Sequence, residues 1–167
     1  MEQLKIPKER IPILIGIKGS AKRKIQKLTN TKILVNSYDG DVFIEGEGID
    51  VFNCSNVIKA IARGFNPEVA LKLLSDEYTF EIMNIEESAR NKKDLVRIRS
   101  RLIGTKGKAR EYIESITNTD IIVYGKTVSI IGRIENVLLA RQGLTNLLNG
   151  SKHGKVYAYI EKLKKKE

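Results

Sequence analysis

Leu14–Val35 reads LIGIKGSAKRKIQKLTNTKILV, and 88 residues further on Leu102–Val123 reads LIGTKGKAREYIESITNTDIIV. The two stretches align without a gap and share twelve of 22 residues. Chance does not produce such a match. The 167-residue chain is therefore a duplication, each copy about 75–80 residues long, and the repeat governs the reading of the rest.

Within each copy the same local signals follow in order. Behind the Gly-x-x-Gly, apolar Ala21, Ile25 and Leu28 recur at helical spacing, matched by Ala109, Ile113 and Ile116. Asn30 and Asn118 stand where that helix must end, because asparagine tolerates a left-handed C-cap. Runs rich in β-branched residues over 32–36 and 120–124 predict strands. Asp39-Gly40 and Gly125-Lys126 are turn signals leading into strands at 42–44 and 128–131. Amphipathic helices over 51–64 and 134–149 close each copy. Upstream, strands are predicted at 4–6 and 78–85 and helices at 8–14 and 92–103, the first helix cut short by Pro12. Further helices are expected over 67–75, in the connector, and over 155–166. The order is strand, helix, Gly-x-x-Gly, helix, strand, strand, helix. It describes an α/β (α+β) fold in which a three-stranded sheet is backed by three helices. The domains are expected at 1–76, connector helix included, and at 77–167 with a C-terminal helical extension.

Thirty Lys and Arg against twenty Asp and Glu leave a net charge of +10. The charge is unevenly placed: residues 1–36 carry +7, residues 37–90 carry −7 and residues 91–167 carry +10. Two basic blocks flank an acidic middle, and such blocks call for a polyanionic partner, nucleic acid first. A hydrophobic fraction of 41% is enough for a core in each copy. No apolar run approaches the ~18–20 residues of a membrane span, and Met1-Glu-Gln-Leu-Lys lacks the apolar core of a signal peptide. The expectation is a cytoplasmic protein with no membrane contact. Cys54 is the single cysteine and His153 the single histidine, which excludes an intramolecular disulfide and a thiolate zinc cluster. Cys54 reads as an ordinary buried residue, and His153, among lysines, as a solvated one. No catalytic residue, cofactor or metal ligand is expected, and the protein is read as a non-enzyme.

The glycine loops carry the chemistry. Without Cβ atoms, Gly16 and Gly19, or Gly104 and Gly107, let backbone lie against a sugar-phosphate chain. The helix that follows aims unpaired N–H groups and a positive dipole end at the same place. Ile17 with Lys18, and Thr105 with Lys106, fill the two loops. Lys22, Arg23, Lys108 and Arg110 lie one turn on, and Arg101 precedes the second loop, so all widen the positive surface.

Two such loops between helices resemble the KH domain, whose GXXG loop clamps a stretch of four nucleotides. The resemblance spans nearly the whole chain and implies two tandem type I KH domains, each a three-stranded antiparallel sheet packed on three helices. It implies an apolar groove beside the second strand, bordered by Ile33 and Val35 or by Ile121 and Val123, that takes single-stranded RNA. Aromatics make up only 6% of the chain, so base stacking is expected to be minor. The run Arg99-Ser-Arg-Leu-Ile-Gly-Thr-Lys-Gly-Lys, with Ala140-Arg141 to Gly150 and Lys155-Val-Tyr, is similar to the archaeal ribosome-assembly factors that are counterparts of the eukaryotic partner of the Nob endonuclease. That resemblance implies binding near the 3′ end of small-subunit ribosomal RNA and, as protein partners, an rRNA-processing endonuclease or a translation factor. Eukaryotic members have a degenerate first loop, whereas Gly16–Gly19 is intact here, so the first copy grips either RNA or a protein.

The remaining alternatives are a protein-interaction scaffold or an mRNA-associated adaptor in translation, with the acidic middle as a docking surface. A metal-dependent nuclease would rest on Asp39, Asp41, Glu45 and Glu47; the second copy lacks matching carboxylates. A P-loop is excluded by spacing, since its glycines stand five apart and these stand three apart.

Overall fold

β1 (Glu2–Lys5) and β2 (Lys32–Asn36) both pair antiparallel with β3 (Asp41–Glu45), giving a sheet of order β1-β3-β2. The registers Leu4↔Val42 and Ile33↔Ile44 place alternate residues on one face. Against that face lie α1 (Ile11–Ile15), α2 (Ser20–Thr29) and α3 (Gly48–Ala62). Ile25, Ile33, Val42, Ile44 and Ile58 are fully buried there. The connector follows as α4 (Pro67–Ala70), started by Pro67 and by an Asn66 side chain that accepts from Val69 N–H, and a 3₁₀ turn over Leu71–Leu74.

The second copy repeats the plan. β4 (Tyr78–Asn84) and β5 (Asp120–Tyr124) flank β6 (Thr127–Arg133) in the order β4-β6-β5, again antiparallel. Helices α5 (Lys92–Ile103), α6 (Lys108–Thr117) and α7 (Ile134–Leu148) cover one face. A further helix, α8 (His153–Lys165), packs on α6 and α7. Gly143 makes room for it, because a Cβ there would collide with Ile160. The structure describes residues 1–166 of this computed structural model. The chain divides into two compact units, Met1–Asp76 and the part from Glu77 onward. No described helix is long and apolar enough to cross a membrane.

Two antiparallel sheets, each backed by three helices, are the architecture expected from the repeat. Several details differ. The first strand is Glu2–Lys5 rather than 4–6, since Ile6 turns into the core and its N–H donates to Gly40 O (3.0 Å). The predicted helix over 8–14 is a 3₁₀ turn at Lys8–Arg10 followed by α1, in which Pro12 sits in the first turn where it costs no hydrogen bond. Leu28, expected on the buried stripe of α2, is exposed, and Thr29 is buried in its stead. The hydroxyl of Thr29 tolerates burial because Ile25 O accepts from it (2.7 Å) and Thr31 Oγ1 lies 2.7 Å away. Thr117 repeats this with Ile113 O and Thr119. His153 is half-buried, with Nε2 2.8 Å from Arg101 O, rather than solvated. The last helix accordingly starts at His153, two residues before the predicted 155.

Candidate nucleic-acid interface

The two glycine loops adopt the same backbone. Gly16 has φ 76° and ψ 178°, Lys18 φ 54° and ψ 30°, and Gly19 φ 77° and ψ 13°. Gly104, Lys106 and Gly107 follow with 77°/173°, 56°/28° and 77°/10°. A lysine at positive φ is uncommon and is held there only by its surroundings. The glycines serve different ends. A Cβ on Gly16 would stand 2.7 Å from Ala21 N, and one on Gly104 2.6 Å from Ala109 N. The first glycine is thus required by packing on the next helix. A Cβ on Gly107 would meet nothing closer than 3.7 Å, and one on Gly19 only the Arg23 guanidinium. The second glycine leaves an open face for a ligand backbone. Ile17, Lys18, Thr105 and Lys106 are exposed at the tips.

α2 and α6 then start at Ser20 and Lys108, with their free N–H groups directed at the loops. They end alike, at Asn30 and Asn118, both left-handed with φ 53°. Their charges differ. α2 carries Lys22, Arg23, Lys24 and Lys27 and no acid, whereas α6 balances Lys108 and Arg110 with Glu111 and Glu114. Arg23 Nη1 donates to Lys18 O (2.6 Å), bracing the first loop with a cation. Arg110 stays near its loop, with Nη2 3.7 Å from where a Gly107 Cβ would stand, but its charge is taken up by acids. Its Nη1 donates to Glu114 Oε1 (2.5 Å) and to Ile121 O (3.3 Å), with Glu111 at 3.8 Å.

Both second strands lie at a sheet edge beside these helices. Ile33 N–H donates to Gln26 Oε1 (2.8 Å), and Ile121 N–H donates to Glu114 Oε2 (2.9 Å). One glutamine and one glutamate thus do the same work at equivalent positions. Burial raises the Glu114 carboxyl above its ordinary value, and the hydrogen bond from Ile121 and the Arg110 charge oppose that rise. Beside the first loop, Lys8, Ile11, Pro12, Ile15, Gly16 and Ser37 line an open groove of about 500 Å³. In the second copy, Glu86, Ala89, Asn91, Leu95 and Lys126 line a hollow of about 260 Å³ near the start of α5.

The structure brings together Gly16–Gly19 with Lys22 and Arg23, and Gly104–Gly107 with Lys108. It corrects three other expectations. Ile33 and Ile121 are buried, 0% and 2% exposed, and their side chains belong to the core rather than to the groove border. Val35 and Val123, two residues on, are half-buried, and Val123 packs against the core of the second unit. Arg101 is not available to a phosphate: Nη1 donates to Leu147 O (2.8 Å) and Nη2 to Ser151 O (2.6 Å), closing the C-terminus of α7. Arg10 does the same for α3 through Ile61 O and Phe65 O, both at 2.8 Å. Arg110, as described, is held by acids. Two residues escaped the sequence reading. Arg99, in the turn of α5 equivalent to Ile11, has a buried Nε with no hydrogen-bond partner among the described residues. Tyr38, at the tip of the β2–β3 hairpin, is 86% exposed. Arg99 stood within the quoted run ahead of the second loop, whereas nothing local marked Tyr38.

Residues 79–165 match the family model described as eukaryotic type KH-domain (KH-domain type I), and residues 1–60 match that of the KH domain. A KH domain-containing protein of Methanocaldococcus jannaschii is 42% identical over 99% of this chain and 75% of its own length. The pre-rRNA-processing protein pno1 of Aspergillus fumigatus is 34% identical over 64% of this chain but only 43% of its own. Among solved structures, Dim2p from Pyrococcus horikoshii superposes with a TM-score of 0.88 at 42% identity, covering 96% of this chain and 98% of that one. The a/eIF2alpha–aDim2p–rRNA complex from the same organism gives 0.92 at 40% identity, over 99% and 94%. With duplicated GXXG loops, two matched KH modules and near full-length likeness to these proteins, the chain belongs to the tandem KH family of Dim2 and Pno1 proteins.

Proposed function

We propose that the protein binds single-stranded RNA through its two GXXG loops and acts in the processing of small-subunit pre-rRNA, near the 3′ end of the rRNA. The observation that carries this is the shared loop geometry: two second glycines with no backbone packed on them, two tip lysines and two helix N-termini in one backbone conformation. The basic blocks around both loops supply the electrostatic attraction. The pre-rRNA-processing names of the fungal relatives and the rRNA in the Pyrococcus complex support the choice of RNA.

The RNA contacts are assigned to Gly16, Ile17, Lys18, Gly19, Lys22, Arg23 and Val35 in the unit 1–76, and to Gly104, Thr105, Lys106, Gly107, Lys108 and Val123 in the unit 77–167. The protein is read as a binding protein of the cytoplasm, without catalysis of its own. Its protein partner is a translation factor or an rRNA-processing endonuclease; the presence of a/eIF2alpha in the Pyrococcus complex favours the former. A specific observation suits the first unit to that second task as well. Leu28, Ile49 and Phe52 are exposed on α2 and α3, whereas Ile116, the counterpart of Leu28, is half-buried in a core that includes α8.

The test is fluorescence anisotropy with a labelled single-stranded RNA and its perfect duplex. The single strand binds more tightly, because the loops clamp an extended chain. Thr105→Asp/Lys106→Asp and Ile17→Asp/Lys18→Asp keep their circular dichroism, since acids suit a helix N-terminus. Each loses at least about tenfold in affinity, as a charge-assisted hydrogen bond is worth ~1.5–3 kcal/mol. Equal binding of duplex, or parental affinity in both folded variants, overturns the proposal.

A further inference from the structure

We infer that Tyr38 is a base-stacking platform that adds one nucleotide to the site of the first copy; this rests on the proposal that the Gly16–Gly19 loop engages RNA. The ring is 86% exposed on a chain with few aromatics. An isolated exposed tyrosine is ordinary, but this one is mounted. Tyr38 N–H donates to Asn36 Oδ1 (3.0 Å), Asn36 Nδ2 to Asp39 Oδ2 (3.0 Å), and Asp41 N–H to Asp39 Oδ1 (3.0 Å). Gly40 closes the turn on Asn36 O (2.9 Å) and accepts from Ile6 N–H (3.0 Å), which ties the hairpin to the segment before α1. The tip is therefore preorganised, and a base landing on the ring orders little new backbone.

Its position is what makes the ring useful. Ser37, the neighbour of Tyr38, lines the groove beside the first glycine loop, and so does Lys8. The Lys8 ammonium stands 5.7 Å from the centre of the Tyr38 ring. An exposed aromatic ring beside the groove with a cation over one face offers a nucleotide both of its needs, a stacking surface and a phosphate contact. Among the described residues the second hairpin carries no exposed ring: Tyr124, just before its turn, is half-buried. That hairpin turns at Gly125-Lys126, and Lys126 pairs with Glu86 at 2.6 Å. The first copy thus takes a stacked base of any identity that the second does not.

The protein contains no tryptophan, so Tyr38→Trp installs a single tryptophan at the site, excited selectively over the remaining tyrosines. The experiment is done on full-length protein carrying Thr105→Asp/Lys106→Asp, so that the first loop carries the binding, with a labelled single-stranded RNA. Stacking quenches the tryptophan emission as the RNA saturates, and Tyr38→Ala weakens binding about tenfold while Tyr38→Phe restores it, since the face and not the hydroxyl is used. If anisotropy shows binding that Ile17→Asp/Lys18→Asp abolishes, yet emission is unquenched or Tyr38→Ala binds as the background does, the stacking site is wrong and the loop assignment stands. If Tyr38→Phe loses as much as Tyr38→Ala, the contact is through the hydroxyl and stacking is likewise refuted. If Ile17→Asp/Lys18→Asp changes nothing, the RNA role of the first loop falls, and the Tyr38 site with it.

Discussion

Gly104→Ala and Gly107→Ala separate folding from binding within a single loop. Gly107 sits in the left-handed region at φ 77°, ψ 10°, and a Cβ there meets nothing within 3.7 Å. Its replacement costs only the left-handed penalty, ~1–2 kcal/mol. Gly104, at φ 77°, ψ 173°, occupies a region open to glycine alone, which costs of order 1–3 kcal/mol. Its Cβ would also stand 2.6 Å from Ala109 N and 2.7 Å from Ala109 Cβ. Neither atom can retreat without opening the first turn of α6, an overpacking cost of another ~1–3 kcal/mol. The sum is about 2–6 kcal/mol. With ~4–8 °C of Tm per kcal/mol for a domain of this size, Gly107→Ala lowers the melting of the second unit by about 4–16 °C and Gly104→Ala by at least about 8 °C, and by more than Gly107→Ala because its overpacking adds to the backbone cost. RNA affinity runs the other way at a temperature where both are folded. Gly107→Ala puts a methyl group on the open face and weakens single-stranded RNA binding, even though its fold is the better preserved. Thermal circular dichroism and anisotropy measure the two effects. A Gly104→Ala protein that melts no lower than Gly107→Ala refutes the division of labour between the glycines.

Arg101→Ala removes two hydrogen bonds that close α7 and lowers the Tm of the second unit by about 8–16 °C, from ~2 kcal/mol of lost bonding, while RNA affinity at low temperature changes less than about threefold; loss of binding with an unchanged Tm would restore Arg101 to the interface. Because the folded protein raises the Glu114 carboxyl, that group stabilises the fold at acid pH, and the contribution is lost as pH rises through the raised value. Glu114→Gln, which copies Gln26 of the first unit, therefore flattens the decline of Tm as pH rises above the ordinary carboxylate range and frees Arg110 to steepen the salt dependence of RNA binding. An unchanged pH slope would count against the burial of Glu114 as its cause.

Much of this was legible in the order of residues. The repeat announced two modules, and Gly-x-x-Gly with its downstream helix announced the loops. Asn30 and Asn118 marked helix ends that are left-handed at φ 53° in both units. All of these are relations between residues a few positions apart, where backbone geometry and helical period act directly. Which cations remain available to RNA was a different matter. Arg101 reads as a loop-flanking cation until Leu147 and Ser151, about fifty residues away, draw its guanidinium to α7. Ile33 and Ile121 look like groove residues until the sheet face that each occupies in its own unit turns inward. Thr29 displaces Leu28 from the core because Ile25 O and Thr31 satisfy its hydroxyl. Tyr38 acquires meaning only when Lys8 and Ser37 meet beside it at the groove. Sequence by itself determined the modules and the loop chemistry, because those depend on near neighbours. Tertiary structure decided which side chains are free to act, because burial and distant carbonyl partners exist only once the chain has folded.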